Sequence, residues 1–310
     1  MSATKKARRK REPRDLYAEV TDRVIAALEN GTVPWRCRWT ALSGIPARNV
    51  VTGKPYRGIN WLITSMAGYE SPWWMTYKQA AARDAQVRQG ERGTPVFLWK
   101  TAKIRLDTKE KRDRARQDGL TIRTDERGQY AEPFMARSYV VFNAHQIDGL
   151  DPELTPTGRP DGPRTWTELE RCEQIVDGYV DGPTITNGGA SAFYDPSTDQ
   201  VTMPDPERFD NATDWYAVLY HELAHSTGHR SRLDRLNPSV NNDHRDYARE
   251  ELVAELAAAM LCAAAEIDSA PLVEQHAAYL KSWQSALSED KKLLVIAAQR
   301  AQRAADRILG

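Results

Sequence analysis

Apolar residues recur along this chain with two different periods, and the changes of period divide it into elements. In residues 15–30, Leu16, Val20, Val24, Ala27 and Leu28 return at steps of three and four, the stripe of an amphipathic helix that Gly31 ends. Residues 55–62, Pro-Tyr-Arg-Gly-Ile-Asn-Trp-Leu, lead into a short helix. Residues 71–76 read as a strand, with Thr76 placed to cap a helix entered at Tyr77-Lys78-Gln79. Residues 94–100 and 135–143 are rich in β-branched and aromatic side chains and predict an antiparallel pair, joined through a long charged connection at 107–128.

Residues 151–164 hold four prolines and two glycines, so neither helix nor strand continues through them and they read as a linker. Past it, 165–180 predicts a helix capped by Thr165 or Thr167, and Ile185 begins an extended stretch. After a turn at Gly188-Gly189, 191–196 and 200–204 predict two strands joined by Pro-Ser-Thr-Asp. Trp215, Val218, Leu219, Leu223 and Ala224 then mark the buried side of a helix that stops at Gly228. Residues 250–261, dense in Ala and Leu, predict a largely buried helix. From 273 to 309 the period gives one long or two shorter helices, with a break near Ser288 and a core side of Leu280, Trp283, Leu287, Leu293, Leu294 and Ile296. No internal repeat is present. The pattern as a whole is α+β in two domains, residues 15–150 and 165–310.

Charge sharpens that division. The net charge is zero, but residues 1–150 hold 28 Lys+Arg against 16 Asp+Glu, and residues 151–310 hold 15 against 27. A basic half favours a polyanion, because each neutralised phosphate releases condensed counterions. Six of the nine tryptophans fall before residue 100, so the basic half also has the rings on which bases of a single strand stack. Residues 33–39 interleave Trp35 and Trp39 with Arg36 and Arg38; Arg57, Asn60, Trp74, Tyr77 and Lys78 complete the candidate contacts to single-stranded DNA. For Trp35 or Trp39 taken singly, inward packing is the favoured reading. Lys109, Lys111, Arg112, Arg114 and Arg116 in the charged connection suit either phosphate contact or a solvated face. Residues 1–14, with seven cations and one acid, cannot bury a core and read as a disordered basic tail. Neither that start nor any later stretch has the apolar run of a secretion signal or a membrane span, so the expected place is the cytoplasm, with no membrane partner. Cys37, Cys172 and Cys262, odd in number and far apart, read as reduced packing residues.

The chemistry lies in residues 221–225, His-Glu-Leu-Ala-His. Four residues apart on a helix, His221 and His225 share a face and can offer two imidazole nitrogens to one metal ion, with Glu222 beside them as general base toward a water whose pKa the ion lowers. A catalytic zinc takes three protein ligands. His229, His244 and Glu251 are candidates for the third; a histidine at position 231, as a longer histidine motif requires, is replaced by Ser231. Two acids on an otherwise apolar helix, Glu251 and Glu255, are costly to bury unless positive charge compensates them, and an ion with its histidines would do so. His229, His244 and Tyr247 are the candidates for a donor to the oxyanion.

Residues 250–255, Glu-Glu-Leu-Val-Ala-Glu, resemble the gluzincin arrangement, which implies Glu251 as third ligand and Glu255 as acceptor of the second ring N–H of a ligating histidine, His221 by preference. Taken in order, the loop at 33–35, Pro55–Asn60, Thr76–Gln79, 141–150, 192–196, 221–229 and 250–255 resemble the ArdC family of antirestriction proteins, related to the N-terminal part of TraC-type plasmid primases. That resemblance implies a single-stranded-DNA-binding domain joined to a zincin-like metallopeptidase domain, in a protein of mobile elements that protects incoming DNA from restriction. The implied cofactor is zinc, or another divalent transition metal such as manganese. The alternative is an active DNA-directed metalloprotease that cleaves host proteins bound to the strand.

Overall fold

The structure is a computed structural model that describes residues 15–35, 46–101, 103–117, 122–131, 134–156, 167–236, 244–268 and 277–310. The chain forms two compact units, Trp39–Trp166 in one and Met1–Arg38 with Thr167–Gly310 in the other.

In the Trp39–Trp166 unit the main sheet has the order β1 (Arg48–Asn49), β2 (Trp73–Thr76), β8 (Phe134–Asn143), β4 (Thr94–Thr101). Its interior is Trp74, Val96 and Val141, and Met75 lies in a second cluster with Ala80, Ala85, Val87 and Ile147. Helix α2 (Ile59–Met66) is tied to β4 by Asn60, whose amide exchanges two 2.7 Å hydrogen bonds with the Phe97 backbone. Thr76 caps α3 (Tyr77–Ala81) in a capping box with Gln79, as the sequence predicts. The antiparallel pair is present, β4 against β8 from Thr94↔Val141 to Thr101↔Phe134. Only Val141–Asn143 of β8 also pairs with β2, so the rest of the two strands runs on as a ribbon.

The charged connection is more than a solvated link. It folds as β5 (Ile104–Arg105), α4 (Lys109–Gln117), β6 (Ile122–Asp125) and β7 (Gly128–Ala131), a sheet of order β5-β7-β6 with a small core of Leu106, Ala115 and Ala131 against Ile122. Several of its charges are paired within it. Asp125 pairs with Lys103 and Arg105, Lys111 with Asp107 at 2.6 Å, and Arg112 donates to the Leu106 carbonyl at 2.9 Å. The expected linker also begins later than 151: a 3-10 turn spans Pro152–Leu154, and the Trp73 indole donates to the Pro156 carbonyl at 3.1 Å. The rest of it, 157–164, lies outside the described residues, as does the basic tail.

The other unit comprises α5 (Glu168–Gly178), capped by Thr167, and a sheet of order β10 (Thr184–Asn187), β12 (Gln200–Met203), β11 (Phe193–Asp195). Four further helices follow: α6 (Ala212–Ser226), α7 (His244–Ala265), α8 (Ala277–Glu289) and α9 (Leu293–Leu309). The break near Ser288 is real. Ile296, expected in the core, is 41% exposed, because α9 turns Leu293, Leu294, Ala297, Ala298 and Ala301 inward instead. Cys172 and Cys262 are buried free thiols, and Cys37 lies outside the described residues.

This unit also claims the first helix. The apolar stripe of α1 (Leu16–Glu29), Val20, Val24 and Leu28, is buried, and α1 packs on α8. Thr21 donates to the Lys291 carbonyl at 2.8 Å, Asp22 pairs with Lys291 at 2.7 Å, and Trp35 meets Trp283 edge to face at 5.6 Å. Residues 15–35 therefore pack with the unit that holds the histidine motif. Among the described residues no helix is long and apolar enough to cross a membrane.

Candidate metal centre

Helix α6 is fixed at both ends before it presents any chemistry. Asn211 caps it by accepting from the Asp214 amide at 2.9 Å, and the Trp215 indole donates to the Pro204 carbonyl just beyond β12 at 3.0 Å. Tyr220 donates to the Cys172 carbonyl of α5 at 3.4 Å. At the far end, a Cβ on Gly228 would stand 2.7 Å from Leu236 Cγ, so glycine lets the 228–236 turn fold back on the helix. The Arg235 and Leu236 amides close that turn on the Gly228 carbonyl, each at 2.9 Å. Arg232 locks it further, with two bonds to Asp199, at 2.7 and 2.9 Å, and one to the Ser226 carbonyl at 2.8 Å.

Against this face α7 lays Glu251, and the three side chains converge. His221 Nε2 and His225 Nε2 are 3.1 Å apart; Glu251 Oε1 is 3.3 Å from the second, and Glu251 Oε2 3.5 Å from the first. Donor atoms about 2.0–2.1 Å from a tetrahedral ion stand about 3.3–3.4 Å from one another, so the set fits a divalent ion. His221 and Glu251 are buried and His225 nearly so. Burial pulls both imidazoliums down, but Glu251, with Glu250 beside His225, outweighs it, and both histidines stand above their ordinary value, His225 well above. Burial pushes Glu251 up, yet hydrogen bonding to the two histidines holds it far below the carboxylate range. Such mutual stabilisation marks a site built for positive charge shared with an anion. Glu222 is buried beside them, and its charge also raises both histidines.

The other expected site residues fall as follows. Glu255 is buried one turn beyond Glu251 on α7. His229 bonds through Nδ1 to Ser231 at 2.7 Å and is not one of the three converging donors; Tyr247 is exposed on α7; the side chain of His244 lies outside the described residues. Glu250 and Arg235 were not expected at all. Glu250 Oε1 is 3.6 Å from His225 Nδ1, and Arg235 grips the same carboxylate at 2.8 and 3.2 Å. The adjacent acids in Glu-Glu-Leu were the available signal, but which of the two faces the ring depends on helix packing.

The expected DNA contacts separate by burial. Trp35 and Trp74 are each only 1% exposed and are core residues, with no ring face to offer a base; Asn60 is spent on the Phe97 backbone. Arg57, Tyr77 and Lys78 are on the surface. Arg36, Arg38 and Trp39 lie outside the described residues. A surface group that sequence reading missed lies on one face of the β4–β8 ribbon, where Val96↔Tyr139 and Leu98↔Arg137 are facing pairs and Leu98, Arg137 and Tyr139 are exposed.

Known proteins share both units. Residues 14–142 match the model of the N-terminal domain of anti-restriction factor ArdC, and residues 170–300 match a zincin-like metallopeptidase family. The crystal structure of antirestriction protein ArdC from plasmid R388, in its metal-free form, superposes with a TM-score of 0.71 at 37% identity, over 95% of this chain and 97% of that one. This chain belongs to the ArdC family of antirestriction proteins. The Mn(II)-bound form of the same R388 protein gives a TM-score of 0.72 at 35% identity over the same shares. DNA primase TraC of Escherichia coli is 40% identical over 94% of this chain, which spans only 27% of the primase. The α+β fold in two domains is that of ArdC, and with a Mn(II)-bound relative the His221, His225 and Glu251 cluster fits a divalent metal in this member too.

Proposed function

We propose that this ArdC-family chain binds and shields single-stranded DNA of a mobile element as it enters the host cytoplasm, and that its metal centre accompanies that activity. The observation that carries the reading is the joining of basic charge to exposed rings in the Trp39–Trp166 unit. Residues 39–166 hold 20 Lys+Arg against 14 Asp+Glu, whereas residues 167–310 hold 13 against 24. Tyr77, 50% exposed, adjoins Lys78, and Tyr139, 39% exposed, shares its ribbon face with Arg137. Rings beside cations suit a strand whose bases stack and whose phosphates are neutralised. Titrating the full chain against a labelled single-stranded oligonucleotide should give an affinity that falls steeply with salt. Tyr139→Ala should weaken it by about tenfold, within the 1–3 kcal/mol that one stacked base contributes, leave the salt slope unchanged, and be restored by Tyr139→Trp. A chain that does not bind the oligonucleotide at all would end the reading.

The centre is proposed to hold zinc through His221, His225 and Glu251, with manganese able to replace it. When bound, the ion supplies Lewis acidity to a peptide carbonyl and lowers the pKa of water. In this reading Glu222 takes and returns a proton, Glu255 orients His221, and His229 or Tyr247 donates to an oxyanion. A second reading, a DNA-directed metalloprotease acting on host proteins bound to the strand, is favoured by Glu222 lying buried beside the three donors. The readings part on Glu222→Ala. Under the first, protection of incoming DNA in a restricting host is unchanged; its loss, with metal and DNA binding intact, would establish the second.

A further inference from the structure

Beyond the three converging donors, the 228–236 turn closes a chain of contacts on His225. Arg235 donates through Nη2 to Glu250 Oε1 at 2.8 Å and through Nε to Oε2 at 3.2 Å, a two-point grip on a carboxylate. The same guanidinium donates to Thr227 Oγ1 at 2.8 Å and to the Ala224 carbonyl at 3.0 Å. It is therefore bolted to the last turn of α6, the turn that carries His225. Glu250 in turn presents Oε1 to His225 Nδ1 at 3.6 Å, while the Nε2 edge of that ring faces Glu251 and His221. Arg235 and Glu250 are largely buried, with side chains 7% and 16% exposed, so little solvent screens the group.

We propose that Arg235 and Glu250 are positioning residues for the metal centre: Arg235 fixes the Glu250 carboxylate, which holds the His225 proton on Nδ1 and leaves the Nε2 lone pair to the ion. A carboxylate on the outer nitrogen fixes the tautomer and the ring angle and raises the basicity of the ligating nitrogen. The geometry also divides the labour of two adjacent acids. Glu251 faces the ion and Glu250 faces the ring, and a helix can direct both to α6 because their side chains straddle the contact with it. Arg235 supplies what Glu250 needs for this role. A carboxylate gripped at two points cannot turn away from the ring, so Glu250 stays aimed at the Nδ1 edge of His225.

The proposal rests on the reading of His221, His225 and Glu251 as a metal site, and the experiment separates the two. Zinc affinity of the full chain is measured by competition with a chromophoric chelator, and Co(II) loaded in its place reports ligand geometry through its visible spectrum. Glu250→Gln, which keeps the shape, and Glu250→Asp, which keeps the charge but shortens the reach, should each raise the zinc Kd by about tenfold and alter the Co(II) bands. Arg235→Met should do the same, and adding it to Glu250→Gln should cost little more, because both remove one device. Arg235→Lys should recover only part, since an ammonium cannot grip at two points. If the wild-type chain takes up no zinc, the site reading itself fails. If wild type binds zinc while all of these variants keep its Kd within twofold and its Co(II) spectrum, the positioning role is overturned, even where melting temperatures fall.

Discussion

Glu251→Ala is expected to empty the metal centre, from about one divalent ion per chain to none after dialysis, while Glu222→Ala keeps the ion. Glu251 is the sole anion among the three converging donors, and it reaches both histidines within 3.5 Å. Without it two imidazoles remain on α6, and the loss should exceed about a hundredfold in Kd, or about 2.7 kcal/mol. Elemental analysis of the purified variants decides the matter, and full occupancy in Glu251→Ala would remove it as third ligand. The site also fixes a sign for pH. With no ion bound, the raised histidines contribute stability that is fully present below their ordinary value of about 6.5 and is lost as pH rises through their raised values. Glu251, held low, contributes above its ordinary value of about 4 and loses that contribution as pH falls through its lowered one. An ion must displace the imidazolium protons, so its affinity grows as pH rises through the histidine values. A fixed concentration of zinc should therefore raise the melting temperature more at pH 8 than at pH 6, and a larger shift at pH 6 would contradict the assignment.

How far these conclusions were legible in the sequence depends on the range of the interaction. The converging donors were legible because a four-residue helical spacing and a costly acid pair are local facts: His221 and His225 had to share a face, and Glu251 needed a cation. Caps at Thr76 and Thr167 were legible for the same reason. Arg235 was not, since its worth comes from a turn folded back across Gly228 onto a helix end, which no periodicity records. Composition misled at Trp74, a ring rich in promise for a DNA strand that fills a core instead, whereas Trp35 packs inward as its favoured single-residue reading has it. The small module between β4 and β8 escaped notice because four partly separated apolar residues, Leu106, Ala115, Ile122 and Ala131, suffice to close it once Asp125 gathers its cations.

Which unit α1 stabilises is a matter of packing, and Trp35→Ala tests it. A 3.6 period says that Val20, Val24 and Leu28 need cover but not what covers them, and α8 does so with Trp283 against Trp35. Trp35 is 1% exposed and Trp283 fully buried, so truncation to alanine leaves a cavity as well as losing an aromatic pair. The expected cost is about 3–5 kcal/mol. Against the 5–15 kcal/mol that ordinarily holds a domain together, that is about a fifth or more of the total. The two units provide an internal marker for where the loss falls. A bound ion stabilises the unit that holds it, so in calorimetry the transition that zinc moves upward belongs to the one with His221, His225 and Glu251. Trp35→Ala should lower that same transition and leave the other in place. Should it lower the transition that zinc does not move, α1 would belong with the Trp39–Trp166 unit after all. The expected result would tie the segment at residues 15–35 energetically to the helices that carry His221, His225 and Glu251.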